Sequence, residues 1–329
     1  MKADIHIHSS KMIPFPVKIL YNFQHRKTLL PPFHLKNMKK IGLNFAIING
    51  IGDPMLNRVY SLKNNFQGLK NQIKKLVKEL NKFDNIVYEN FESIEKGIKE
   101  EKPVCFLAIE GADFLENKID RLQEIYDLGI RGLGLVHFSD NCIGKINTDI
   151  VTMVVKARIN EIEETKGGLT DFGKEVVKEM NNLSMEIDLA HASSEMLYDV
   201  LKISRHPVLV SHTGARSIQD FSRYLTDEEI IAISQKGGLI GLWPFYFRGK
   251  GMKVMDDFIE HANYLKKLVS VDNIAIGTDA NGLPGAMQGY KYEKDIFNIE
   301  KSLLNAGFDE KETSKIMGDN IIDFLRKIS

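Results

Sequence analysis

Residues 185–216 read MEIDLAHASSEMLYDVLKISRHPVLVSHTGAR. Two apolar runs, 185–190 and 207–211, lie either side of a helix-length segment. His191 follows the first run and His212 the second. Continuous apolar runs of this kind suit strands buried on both faces. Either histidine alone reads as a core or capping residue. Two at equivalent positions on consecutive strands become neighbours when the strands lie parallel and side by side.

The same punctuation recurs along the chain. Six more runs occur at 3–7, 43–48, 104–109, 131–136, 238–243 and 273–278. Eight runs in all match an α/β chain folded as a (β/α)8 TIM-type barrel, whose C-terminal rim carries the chemistry. His6 and His8 close ADIHIH, Glu110 closes VCFLAIE, His137 closes GLGLVH, and Asp279 follows NIAIGT. Five of nine histidines thus stand at strand ends, a pattern that predicts a metal-dependent enzyme.

Helical periodicity fills the gaps. Phe172, Val176, Val177, Met180 and Leu183 share a stripe in 170–183. Thr226 and Glu229 form a capping-box pattern, with Gly237 at the far end of that helix. Another stripe occupies 256–269, and a last helix is expected over about 310–327. Strand and helix alternate without a composition break, so the expectation is one domain over 1–329. The irregular stretch 9–37, with Pro14, Pro16, Pro31 and Pro32, leaves the first strand on the rim side and reads as part of a pocket lid.

The totals narrow the function. The formal net charge is zero, which gives no basic footprint for nucleic acid. The lysines in 70–82 and 94–102 alternate with apolar residues as solvated helix faces do. No apolar run approaches the roughly 20 residues of a membrane span. Cys105 and Cys142 provide no disulfide framework and suit a reducing compartment, so the chain reads as a soluble cytoplasmic protein. Cys142 lies in a loop near the proposed site, where six better ligands make it superfluous. Whether the protein forms a homodimer is left open.

The proposed metal ligands are His6, His8, Glu110, His191, His212 and Asp279. His6 and His8 share one strand face because side chains alternate with period two. A buried carboxylate such as Glu110 needs a cation or hydrogen-bond donors. Its plain alternative is a salt bridge to Arg131. For Asp279, before Ala-Asn-Gly, the plain alternative is an Asx turn or helix cap. Asp188 reads as a supporting carboxylate near His191. His137 is a candidate electrophile and Arg223 a candidate anion clamp, although an arginine in a polar loop is by default a surface residue. His25, His34, His206 and His261 read as structural or surface residues. Four imidazoles and two carboxylates suit Zn²⁺. Six ligands exceed what one catalytic zinc uses. The set therefore reads as two divalent metal ions about 3.5–4 Å apart, bridged by Glu110 and a hydroxide.

The segments AIEGAD, GLVHFSDN, GLTDFGKEVVKEMNNLSMEIDLAHAS, PVLVSHTGAR, DDFIEHANYLKKLVSVDNIAIGTDANG and the terminal GDN occur in this order. Together they resemble the renal (membrane) dipeptidase family of metallopeptidases, which belongs to the amidohydrolase-like barrels. The resemblance covers roughly 100–325. It implies that His6 binds a first metal, Glu110 bridges, and His191 and His212 hold a second. It implies that Asp279 contacts the first metal and serves as catalytic acid and base. It further implies that His137 polarises the scissile carbonyl of a small dipeptide and Arg223 grips the terminal carboxylate. The residue at the dipeptide's C-terminal position, L or D, is left open.

One departure stands out. The family usually has His-x-Asp on the first strand, where this chain has His6-Ile7-His8. DIHIHSS followed much later by TDAN also resembles the PHP phosphoesterases, although no histidine follows Asp279. A broader amidohydrolase acting on N-acyl amino acids is the other alternative, and a catalytically silent barrel is a third.

Overall fold

The computed structural model describes residues 1–9, 34–54, 57, 61, 64–148, 166–282, 285–288, 290 and 292–329. The barrel strands are β1 (Ala3–His8), β2 (Phe45–Ile51), β4 (Val104–Glu110), β5 (Gly132–Gly134), β6 (Glu186–Asp188), β7 (Leu209–Thr213), β8 (Leu239–Leu242) and β11 (Ile274–Ile276). Each predicted run carries one of them. They are parallel and follow one another around the sheet in chain order. Just past β11, Asp279 N donates to His6 O (2.8 Å) and His8 N to Ala280 O (2.8 Å), which brings the two ends of the sheet together. This is a (β/α)8 TIM-type barrel.

Short additions decorate it. β3 (Ile86–Val87) pairs with Val104 and Cys105 of β4, below the point at Ala108 where β5 takes over. β9 (Tyr246–Phe247) and β10 (Lys250–Gly251) form a small hairpin.

Two bulges break the strand alternation. Between Asp4 and Ile7, β1 spends one residue more than β2 does between Ala46 and Ile48. Ala3 and Ile5 therefore pack with Phe45 and Ile47 inside the barrel, while Ile7 packs with Ala46 and Ile48 against the helices. The extra residue swings His6 and His8 from the outer face to the inner one. Asp4 secures the bulge, its Oδ1 accepting from His6 N and from Thr278 N, both at 3.1 Å. In β7 a second extra residue falls between Val210 and Thr213, beside Ser211 and His212.

The helices follow the predicted stripes. Thr170 caps Asp171–Asn182, Thr226 and Glu229 complete the capping box of Asp227–Gln235, and Gly237 takes a φ of 71°. The lysine-rich segments fall largely in Asn65–Leu80, with Lys74, Lys75 and Lys78 exposed, and in Glu92–Glu100.

The expected last helix is not continuous. Glu310–Ser314 passes through a wide turn at Lys315–Asp319 before Asn320–Ile328 resumes. Gly318 allows this, since a Cβ there would stand 2.8 Å from Met1 O. Ile321, Phe324, Leu325 and Ile328 of the resumed helix share the cluster of Ala3, Phe45 and Val104, and so close the bottom of the barrel.

The lid reading of 9–37 falls mostly on 10–33, which lie outside the described residues, as does His25. No helix among the described residues is long and apolar enough to cross a membrane.

Candidate metal centre

Glu110 ends β4 at the barrel mouth and is the hub of the site. Its Oε1 lies 2.9 Å from His191 Nε2, 3.6 Å from His6 Nε2 and 3.7 Å from His212 Nε2. Its Oε2 lies 3.3 Å from both His8 Nε2 and His137 Nε2. His8 Nε2 is also 3.3 Å from Asp279 Oδ1. Three overlapping triads result: His6, Glu110 and His212; His6, His8 and Asp279; Glu110, His137 and His191. Within each, the candidate ligand atoms lie within 4.8 Å of one another. All six sequence-predicted ligands come together.

The rings are aimed from behind. His8 Nδ1 donates to Asn49 O (3.1 Å), leaving Nε2 for the mouth. Ser211 Oγ sits 2.9 Å from His6 Nδ1 and 2.8 Å from His212 Nδ1, and Asn49 Nδ2 lies 3.2 Å from His6 Nδ1. A hydrogen bond at one ring nitrogen sets what the other can do, which is how metal-binding histidines are oriented. His191 and Asp279 both adopt the left-handed backbone, with φ of 69° and 52°. Non-glycine residues held there cost energy and collect at functional sites. Gly282 leaves room for the Asp279 carboxylate, because a Cβ at 282 would fall 1.8 Å from its Oδ1.

The charges match a cation-binding role. Burial works to raise the Glu110 carboxyl, but the surrounding His137 and His6 rings outweigh it and hold the group well below its usual range. Burial works to lower His6 and His8. The Glu110 charge raises His6 well above its ordinary value, and hydrogen bonds to Asp279 and Glu110 bring His8 to about 9. His212 is driven well down by burial and by His6. Without a cation, protons on His6 and His8 must balance the buried carboxylates. A divalent ion among the same nitrogens and oxygens would replace that charge, so the donor set fits the group.

The other candidates find definite places. His137 Nδ1 lies 2.6 Å from Asp53 Oδ2, and the Phe138 ring stacks on the His137 imidazole at 3.7 Å. Arg223 is buried rather than on the surface. Thr213 Oγ1 donates to its carbonyl (3.0 Å), and its Nη2 donates to Thr148 O (3.1 Å). Arg131 does not pair with Glu110; it donates to the carbonyls of Glu89, Tyr126 and Ile130. Asp279 caps no helix among the described residues. Asp188 supports β7 and His6 rather than His191. Its Oδ1 accepts from Ala190 N and Ser211 N, both at 2.9 Å, and its Oδ2 is 3.8 Å from His6 Nδ1. Cys142 belongs to none of the ligand triads.

Sequence reasoning missed Asn49, Ser211 and Asp53. Asn49 and Asp53 left a trace. Asn49 is a polar residue in the otherwise apolar strand FAIINGI, and Asp53 follows that strand in GIGDP much as Glu110 ends VCFLAIE.

Barrel and constellation together define a parallel barrel whose C-terminal rim gathers a candidate metal-binding set. Residues 86–329 match the model of the membrane dipeptidases, peptidase family M19, and the chain belongs to that family. The chain is similar to dipeptidase 3 of Mus musculus, 27% identical over 230 residues, which cover 69% of this chain and 45% of that protein. It is equally similar to dipeptidase tcpJ of Claviceps purpurea (strain 20.1), 27% identical over 230 residues, covering 69% of this chain and 51% of that one. The match thus spans about half the length of these relatives. A metallopeptidase from Rhodobacter sphaeroides, solved with a phosphinate mimic of the dipeptide L-Ala-D-Ala, shares the fold. Its TM-score is 0.79 at 18% identity, covering 100% of both chains. The family of this chain is thus that of the dipeptidases and not that of the PHP phosphoesterases.

Proposed function

We propose that this chain is a metal-dependent dipeptidase that hydrolyses the amide bond of small dipeptides and accepts a D-residue at the C-terminal position. We assign it two divalent cations, with Zn²⁺ the choice that suits the donors. His6, His8 and Asp279 would hold one, His191 and His212 the other, and Glu110 would reach both. The carrying observation is that Glu110 lies within 3.7 Å of rings from both sets, His6 and His8 on one hand and His191 and His212 on the other.

Bound there, such cations supply Lewis-acid charge and a water acidic enough to ionise near neutral pH. The chain's own groups do the rest. Asp279 sits at the mouth as the base that takes a proton from water and, as an acid, returns it to the leaving amine. His137 turns Nε2 into the mouth, where it supports the charge that develops on the carbonyl oxygen. Arg223 receives the dipeptide's terminal carboxylate through its guanidinium fork.

The test is metal analysis of the purified protein, combined with a panel of L-L and L-D dipeptides and N-acyl amino acids. Turnover of dipeptides that is lost on chelation supports the reading. Metal-dependent turnover of N-acyl amino acids alone would replace it with a broader amidohydrolase.

A further inference from the structure

The approach of the loop after β2 to the end of β4 has a consequence for His137. Gly52 N donates to Glu110 O at 2.7 Å, and a Cβ on Gly52 would stand 1.7 Å from Gly111 O. Gly111 has a φ of +87°, and a Cβ on it would meet Asp53 Oδ2 and His137 Cβ, each at 3.2 Å. Two bare backbones are therefore pressed together where side chains would part them. The result is that Asp53, buried behind the site, reaches His137. Its Oδ2 lies 2.6 Å from Nδ1, and since a carboxylate only accepts, the Nδ1 proton points at Asp53. The other nearby acid, Asp113, is engaged by Asn141 Nδ2 at 3.2 Å.

We infer that Asp53 is a positioning residue for the reaction. It accepts the Nδ1 proton of His137 and so fixes the ring with Nε2, 3.3 Å from Glu110 Oε2, toward the mouth, and its charge steadies the ring when Nε2 carries the second proton that a carbonyl oxygen needs. The inference rests on the dipeptidase reading for its effect on turnover, but not for its effect on the ring. Asparagine at 53 keeps the shape but can present either an oxygen or an NH₂ to Nδ1, so the ring loses its fixed orientation.

The experiment joins kinetics to nitrogen NMR. Asp53→Asn should lower kcat by roughly tenfold or more while KM stays within about twofold, as when the partner that orients an active histidine is removed. Metal content and melting temperature should be unchanged. In the ¹⁵N-histidine-labelled wild type, His137, assigned by its absence in His137→Gln, should carry a proton at Nδ1, and Asp53→Asn should move that signal. An unchanged kcat overturns the proposal, and so does a loss that tracks metal release or lowered melting. If Asp53→Asn fails to fold, the wild-type spectrum decides, because a bare Nδ1 also overturns it. A wild type inactive on every dipeptide would sink the dipeptidase reading instead, and the spectrum would still decide for Asp53.

Discussion

Gly277 stands where any side chain would collide with the carbonyl of Ser211, a Cβ there falling 1.6 Å from that oxygen. Gly241 faces the same oxygen, at 1.8 Å. The β7 bulge turns the Ser211 backbone into the barrel, and these two glycines leave the space. Gly277→Ala should push Ser211 away and disturb the hydroxyl that joins His6 and His212. Overpacking of this kind costs about 1–3 kcal/mol. Urea denaturation should show the loss, and metal titration should show weaker binding. Wild-type stability in Gly277→Ala would mean that the bulge relaxes freely.

Glu110 reaches every imidazole in the proposed ligand set. Metal analysis of protein purified without chelator should approach two equivalents, and Glu110→Gln should lose both. A wild type that is fully active with a single ion would remove the case for a bridge.

His8 occupies the position where the family usually has aspartate. His8→Ala should weaken the cation shared with His6 and Asp279 more than the one at His191 and His212. His8→Asp should keep it, because a carboxylate there still faces Asp279 and Glu110. Competition with a chromophoric chelator reads both affinities, and equal binding in all three proteins would deny His8 a ligand role.

Arg223 sets the expected substrate length. Dipeptides should be cleaved, while longer peptides and C-terminally amidated dipeptides should fail. Truncating one partner of a buried charge pair costs ~2–4 kcal/mol. Arg223→Ala should then lower kcat/KM roughly a hundredfold at about 1.4 kcal/mol per tenfold, with metal content unchanged. Comparable rates on a dipeptide and its amide would show that no carboxylate clamp operates.

His261 makes stability depend on pH. Its Nδ1 accepts from Ala215 N at 2.9 Å, Tyr224 packs edge-on against the ring at 5.1 Å, and Asp257 lies on the same helix. Burial pushes the imidazole down to about 4, against a smaller opposing pull from Asp257. The unfolded chain, titrating near 6.5, takes up the proton first. The contribution is therefore complete above about pH 6.5 and is lost as pH falls toward 4. Between pH 7.5 and 5 the wild type should lose about 2 kcal/mol more than His261→Gln, whose amide oxygen can accept the same bond. Parallel pH curves for the two proteins would contradict this.

Much of the site was legible because a parallel barrel gathers strand ends, and residues placed at strand ends announce themselves. His191, His212 and Glu110 needed only their place after an apolar run. Asp53 also follows an apolar strand, but nothing local in GIGDP pairs it with His137, a contact that the meeting of Gly52 and Gly111 creates. Arg223 misled in the opposite sense. Its polar neighbours suggested solvent, but the link from Thr213 to its carbonyl draws it into the interior. The apolar stripe of the last helix continues across Gly318 and predicts an unbroken helix, whereas the nearby Met1 backbone leaves no room for a side chain there.

What the sequence by itself determined is the set of eight strands, the helices between them and the imidazoles and carboxylates at the rim. Those follow from local periodicity and from the cost of leaving an imidazole or carboxylate in an apolar run without a partner. It also determined that His6 and His8 share one face. Which face that is was decided by tertiary structure alone. Strict alternation from Ile5, an inner residue, would turn both rings outward against the helices. The extra residue in β1, held by Asp4 to Thr278 just past the last strand, turns them inward. A bulge is a property of two paired strands and their neighbours, and its energy is not written in either strand alone.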